Sequence, residues 1–166
     1  KQLHELVNYS KRHGYNLVIR GAGTNMQGNC IPVKSVVVDM SKMNKVLEIA
    51  DDYVVVEAGA VLDEVNAVLG DNKVPINVVN HRVCTIGGVV AMNCLSTDVS
   101  EGRIGDYIEK MEVVDGTGKY LKLGHPTVRN FIGLEGTTGI ITKIQFKIVP
   151  KKKFRSFSIY KFVTLN

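Results

Sequence analysis

The sequence predicts a domain of mixed helices and strands punctuated by glycine-rich loops, and three observations carry that expectation. Residues 2–13 and 61–69 place apolar side chains at helical spacing. Runs at 16–20, 36–39, 46–49, 53–57, 111–114, 120–123 and 140–149 are rich in β-branched residues or alternate in polarity. Glycines gather at 21–28, 87–88 and 133–139, each time beside a run that reads as a strand or helix. At 166 residues, 45% hydrophobic and 22% charged, the chain suits one domain or two small subdomains sharing a core, without the composition of disorder.

In chain order, Leu3, Leu6 and Val7 share a face of the first helix. Lys11, Arg12 and His13 sit in its last turn, against the C-terminal dipole, and Gly14 is its stop. Strand 16–20, expected to be short and buried, leads into the first glycine loop, and Val36-Val37-Val38-Asp39 reads as another buried strand. Asp51-Asp52 is a hairpin turn between strands 46–49 and 53–57. Helix 61–69 follows Gly59, and Pro75 begins an extended segment, 76–79, that ends at Asn80-His81-Arg82. Thr85 is placed to cap a helix whose first turn holds Gly87-Gly88. Asp115-Gly116-Thr117-Gly118 turns a hairpin between 111–114 and 120–123, and a short helix covers 128–132. In the last run Thr142, Ile144, Phe146 and Ile148 face one way, with Lys143, Gln145 and Lys147 opposite, as in a half-exposed strand.

The first glycine loop, Arg20-Gly21-Ala22-Gly23-Thr24-Asn25-Met26-Gln27-Gly28, carries the chemistry. Its backbone can turn tightly and approach a ligand closely, and successive N–H groups in such a loop form a concave anion site. Thr24 and Asn25 would add side-chain donors, and phosphate or pyrophosphate is the expected occupant. The glycine spacing is not that of the dinucleotide fingerprint, and no Gly-Lys-Ser/Thr ending marks a P-loop. Taken alone, the loop reads equally as a connecting turn, and the Gly87-Gly88 stretch as a tightly packed buried helix.

The net charge of +5 is concentrated partly in Lys151-Lys152-Lys153 with Arg155, which reads as a solvated connector between strands rather than a nucleic-acid face. The three cysteines, Cys30, Cys84 and Cys94, lack CxxC or zinc spacing, so no metal site is expected. An odd, unframed set fits a reducing, cytoplasmic setting. There is no signal peptide and no apolar run long enough for a transmembrane segment. Position 1 is Lys and no strand precedes the first helix, so the chain reads as a piece of a longer polypeptide.

Three motifs in order resemble the FAD-linked oxidases of the vanillyl-alcohol-oxidase superfamily, in particular their glycolate oxidase flavin subunit and D-lactate dehydrogenase group. They are Arg20-Gly21-Ala22-Gly23-Thr24 with Gly28, Thr85-Ile86-Gly87-Gly88 with Ala91 and Asn93, and Gly133-Leu134-Glu135-Gly136-Thr137-Thr138-Gly139-Ile140-Ile141-Thr142. Gly102 and Asp106-Tyr107 precede the strand containing Glu112-Val113-Val114, and the likeness runs to about Pro150. The resemblance implies an α+β, two-subdomain FAD-binding domain over 1–150, with 151–166 opening a substrate or cap domain through a strand at 154–165. It implies that Arg20, Gly21, Ala22, Gly23, Thr24, Asn25 and Gly28 hold the FAD pyrophosphate. Cys84, Thr85, Gly87 and Gly88 would approach pyrophosphate and flavin, with Ala91 and Asn93 nearby. Gly136, Gly139, Ile140 and Ile141 would run past the cofactor.

The sequence departs from the family where Cys94-Leu95-Ser96 follows Asn93 in place of small residues. No histidine stands in the first loop, which implies non-covalent FAD, and His81 reads as a solvent-exposed loop residue. The implied activity is oxidation of a small 2-hydroxy acid, glycolate or D-lactate, by hydride transfer to flavin. The catalytic histidine would come from the cap or a partner, so no catalytic residue is assigned here. Three other readings share the FAD-binding fold: a flavin-binding electron-transfer subunit without catalysis, a reductase of cell-wall precursor synthesis, and a scaffold that has lost FAD.

Overall fold

The computed structural model of the chain describes residues 2–154, 156 and 158–161. The fold is α+β. Five antiparallel strands form the main sheet in the order β3(Val46–Ile49), β4(Tyr53–Glu57), β8(Gly139–Lys147), β6(Ile108–Asp115), β7(Tyr120–Gly124). A separate parallel pair, β1(Asn16–Arg20) and β2(Ser35–Asp39), carries helix α1(Gln2–His13). A third, short antiparallel pair joins β5(Asn72–Lys73) to β9(Val149–Pro150).

β8 lies at the centre of the main sheet, as its alternation requires. Thr142, Ile144 and Phe146 are buried, whereas Lys143 and Gln145 are half-buried and Lys147 is exposed. On the same inner face lie Val54 and Val56 of β4 and Met111 and Val113 of β6. Helices α2(Leu62–Val68) and α3(Ile86–Ala91) pack onto the core through Leu62, Val65, Ile86 and Val90. Fully burying each such side chain contributes about 1.5–3 kcal/mol.

Strands β1 and β2 differ from the expectation that both are buried. Val38 is buried, but Val36 and Val37 are 39% and 37% exposed, and β1 is only half-covered. The reason is topological: a β-branched run favours an extended backbone but does not fix the number of layers over it. Here the strands form a two-stranded sheet of their own, whose Leu17 and Ile19 pack against the core. A parallel pair needs a crossover of about a dozen residues or more. That crossover is residues 21–34, the glycine loop itself, rather than a helix.

Helix α1 ends as predicted, with Gly14 left-handed at φ 69°. The turn expected as a helix over 128–132 is a 3-10 turn at Thr127–Phe131. The extended segment 76–79 forms no strand, because its polar backbone is claimed by the neighbouring loop. Asn77 donates its N–H to Ser96 Oγ at 2.9 Å and accepts from Thr97 N at 2.7 Å. Strand 140–149 breaks after Lys147, and its tail pairs with β5 instead.

Lys151 is tied back by its N–H to the Asp71 carbonyl at 2.7 Å, and Lys152 forms an ion pair with Asp98. The strand expected over 154–165 includes Arg155, Phe157 and 162–165, which lie outside the described residues. Its described residues hold no regular secondary structure.

Candidate functional site

The crossover between β1 and β2, the start of α3 and the turn at 133–139 converge on one cleft. Its larger part, about 320 Å³, is lined by Gly21, Ala22, Gly23, Thr24 and Asn25 on one side and by Cys84, Thr85, Gly88 and Ala91 on the other. A narrower extension of about 70 Å³ reaches Gly87, Gly136, Gly139 and Ile141, sharing Gly21, Thr85, Gly88 and Ala91 with the larger part. Three motifs far apart in sequence therefore line one space.

The local folding explains why the walls present hydrogen-bond donors. The first two N–H groups of α3 are consumed by the end of β4. Ile86 donates to the Ala60 carbonyl at 2.8 Å, and Gly87 to the Ala58 carbonyl at 2.7 Å. The N–H of Gly88 finds no acceptor among the described residues, and Gly88 borders the cleft. Opposite it, the consecutive N–H groups of Ala22, Gly23, Thr24, Asn25 and Met26 also lack protein acceptors among the described residues. Such a run of free donors is an anion-binding concavity.

Thr85 occupies the cap position of α3, with extended backbone angles, but its hydroxyl does not cap the helix. The residue is only 5% exposed, and no buried side-chain atom among the described residues is left unpartnered. Its hydroxyl, with no protein hydrogen bond of its own, therefore opens onto the cleft.

Gly21 is required by close approach: a Cβ there would stand 2.1 Å from Thr85 Oγ1. Gly23, at φ 71°, is required by conformation.

Asn25 plays a different part from the one expected of a ligand donor. Its Oδ1 accepts from the N–H groups of Gln27 (2.8 Å) and Asn29 (3.3 Å), and its Nδ2 donates to Met92 Sδ at 3.3 Å. It shapes the loop as an Asx turn.

Four of the expected residues do not line the cleft. The Arg20 guanidinium lies behind the loop, 2.8 Å from where a Gly23 Cβ would stand. Gly28 closes the far turn by accepting from Ile31 N at 2.9 Å. Asn93, at φ 46°, turns away, accepting from Gly105 N at 3.1 Å and packing against Gly133. Ile140 is buried in the main sheet, where it pairs with Val114 of β6. Spacing placed these residues near the motifs but could not set their direction.

Sequence reasoning missed Glu135, which borders both parts of the cleft. Its carboxylate accepts a hydrogen bond from Asn29 Nδ2. Its place within a glycine motif was visible, but not its reach across to the first loop. Cys84, expected at the cofactor, lines the cavity together with Cys30 and Cys94, which were not expected there, and all three are free. Burial, then the neighbouring Cys94 thiol, push Cys84 up to about 11, and burial also raises Cys94. Both thiols therefore stay protonated near pH 7 and add no negative charge to an anion site.

His81 stays at the surface, paired with Asp63 at 3.0 Å. Among the described residues no cluster could hold a metal ion, and no helix is long and apolar enough to cross a membrane.

Comparison with known proteins agrees with this geometry. The FAD binding domain family matches residues 1–124. Glycolate oxidase subunit GlcD of Bacillus subtilis is 30% identical over 165 residues, 90% of this chain and 35% of that protein. D-lactate dehydrogenase of Anaerostipes hadrus is 31% identical over 148 residues, 80% of this chain and 31% of that protein. The mitochondrial D-2-hydroxyglutarate dehydrogenase of Rattus norvegicus is 30% identical, over 92% of this chain and 32% of its own length. Among solved structures, an alkyldihydroxyacetonephosphate synthase superposes with a TM-score of 0.81 over 92% of this chain and 31% of that one; at 24% identity the likeness is one of fold. The chain spans about a third of the length of the curated relatives it matches.

Proposed function

This chain belongs to the FAD binding domain family of FAD-linked oxidoreductases, whose cofactor is FAD, and from that premise we propose that it is the cofactor-binding part of an enzyme oxidising a small 2-hydroxy acid. The observation that carries the cofactor reading is the run of five N–H groups at 22–26 that lack acceptors among the described residues and belong to a loop lining one cavity with Gly88 and Thr85. A diphosphate between these walls would accept hydrogen bonds from both, with no metal ion and no cationic side chain required. Gly21 and Gly87 let the walls meet closely, since a Cβ at either would stand within 3 Å of the opposite side chain or backbone. The narrow extension past Gly136 and Gly139 would take the part of the cofactor beyond the diphosphate.

Bound non-covalently, FAD supplies a hydride acceptor for the substrate α-carbon. The residues of this chain bind and orient it. Neutral thiols and apolar walls at Ile19, Val89 and Ala91 add no charge beside the diphosphate, and the carboxylate that does border the cavity, Glu135, is engaged by Asn29. The base that removes the hydroxyl proton would come from a cap domain or partner subunit beyond this chain.

The named activities of the relatives, on glycolate, D-lactate and D-2-hydroxyglutarate, support a 2-hydroxy acid as substrate class. The three free thiols support a cytoplasmic setting. The test is anaerobic bleaching of the flavin absorbance near 450 nm (approximately, as for flavins generally) in the protein containing this chain at its full length. Glycolate, D-lactate and D-2-hydroxyglutarate, each at millimolar concentration, are compared with their deoxy analogues. Bleaching by one of the hydroxy acids supports the proposal. Retained absorbance with all three, in a protein reducible by dithionite, favours an electron-transfer subunit instead.

A further inference from the structure

We propose that Asn29 and Glu135 form a strap across the mouth of the cleft and that this strap sets the rate at which the cofactor enters and leaves. The inference rests on the cofactor reading above but concerns residues to which that reading assigns no part. Asn29 closes the far end of the crossover loop, its N–H held by Asn25 Oδ1 and its Nδ2 donated to Glu135 Oε2. Glu135 belongs to the opposite wall, where its own N–H is fixed to the Ala91 carbonyl at 2.9 Å. The bond therefore joins two loops separated by 106 residues of chain, and both partners border the 320 Å³ cavity beneath it.

The backbone around Glu135 suits a part that must hold one position. Glu135 is left-handed at φ 55°, between Gly133 at φ 72° and Gly136 at φ 80°. A non-glycine residue adopts that conformation at some strain, and here the turn aims the carboxylate toward the first loop rather than away from the cleft. Among the described residues no cation pairs with Glu135, so its charge-assisted bond to Asn29 is the contact that holds it.

Both strap residues border the cavity whose other walls present donors, so an acceptor bound to both 22–26 and Gly88 lies beside the strap. A contact closed both before and after binding slows entry and exit alike and leaves affinity unchanged, because it favours neither state. Glu135 is a positioning residue for the cleft, acting through Asn29.

The test compares the unsubstituted chain with Asn29→Ala, Glu135→Ala, Glu135→Gln and the double Ala variant. FAD association and dissociation are followed by stopped-flow fluorescence. Iodoacetamide labelling of Cys30, next to Asn29, is followed by mass spectrometry without FAD. Peptide mapping assigns the label to Cys30 separately from Cys84 and Cys94, the two thiols that burial pushes up.

The strap predicts that each single Ala variant speeds both association and dissociation by about fivefold, the worth of one exposed charge-assisted hydrogen bond. Cys30 labelling rises by a similar factor. The double variant goes no further than either single one, as expected of two residues acting through one contact. Glu135→Gln, which keeps an acceptor for Asn29 but loses the charge assistance, falls between the unsubstituted and the Ala rates. Rates and labelling within about twofold of the unsubstituted chain in either Ala variant, or additive effects in the double, would overturn the strap alone. An unsubstituted chain that takes up no FAD overturns the cofactor reading, and unchanged labelling then overturns the strap independently.

Discussion

Gly88 is the residue at which stability and binding pull in opposite directions. It lies inside a helix without the positive φ that would require glycine, and a Cβ there would meet only Thr85 Oγ1, at 3.4 Å. Gly88→Ala should therefore stabilise the free protein, by up to about 1 kcal/mol from helix propensity. The same methyl stands beside the free N–H in the cleft, and FAD affinity should fall about tenfold, the loss of roughly one good hydrogen bond. Thermal denaturation of the free chain and a fluorescence titration with FAD check the two signs. Loss of both stability and affinity would mean that Gly88 serves packing rather than the ligand.

Gly21, Thr85 and Gly88 could be picked out because they belong to motifs that stand in order along the chain, although the sequence predicts Thr85 as a helix cap and its hydroxyl does not cap α3. Direction was not legible. Asn93 and Asn25 both carry amides within motifs, yet one is spent on Gly105 and the other on its own loop and Met92. Glu135 showed the reverse: an unremarked charge in the third motif turns out to face the first.

At the scale of elements, helix and strand positions followed from local pattern almost throughout: β4 and β8 alternate and α2 buries Leu62 and Val65, whereas the edge strands β3 and β7 hold no buried residue. Sheet membership did not follow from it. The valines of β2 fit a buried strand, but their partner is β1 alone, and two strands cannot cover both faces of each other.

Tight contacts between elements are equally hidden in sequence. Gly59 follows β4 where a Cβ would stand 2.0 Å from the Met40 carbonyl oxygen, fixing how closely the β2 end and β4 approach. The connector after β9 is held to the 3-10 turn at Val99–Glu101 through Asp98. Hydrogen bonds from Lys152 and then Ser100 bring the Asp98 carboxyl from its ordinary 3.8 down to about 2. A depressed carboxyl contributes stability that is present above its unfolded value and lost as pH falls through its folded one. This tie should therefore hold at pH 4 and above and weaken between about 4 and 2. Carboxyl NMR titration should place the Asp98 midpoint near the bottom of that range, and Lys152→Ala should raise it. A midpoint unchanged by Lys152→Ala would mean that the ion pair does not hold the connector.

For the molecule as a whole, one core supports three sheets whose loops meet in a single donor-lined cleft. Because the chain covers about a third of its relatives' length, the claim to be tested here is cofactor binding rather than turnover. A ligand that binds only the folded chain stabilises it, by about 2.7 kcal/mol at a free concentration one hundred times its Kd. The most direct measurement is the near-ultraviolet and visible absorbance spectrum of the purified chain, incubated with FAD and passed through gel filtration. Flavin bands that travel with the protein, at close to one FAD per chain and with a raised melting temperature, are the predicted result. A folded, colourless chain whose melting temperature is unmoved by excess FAD would contradict it, and the run of free N–H groups at 22–26 would then be a turn and nothing more.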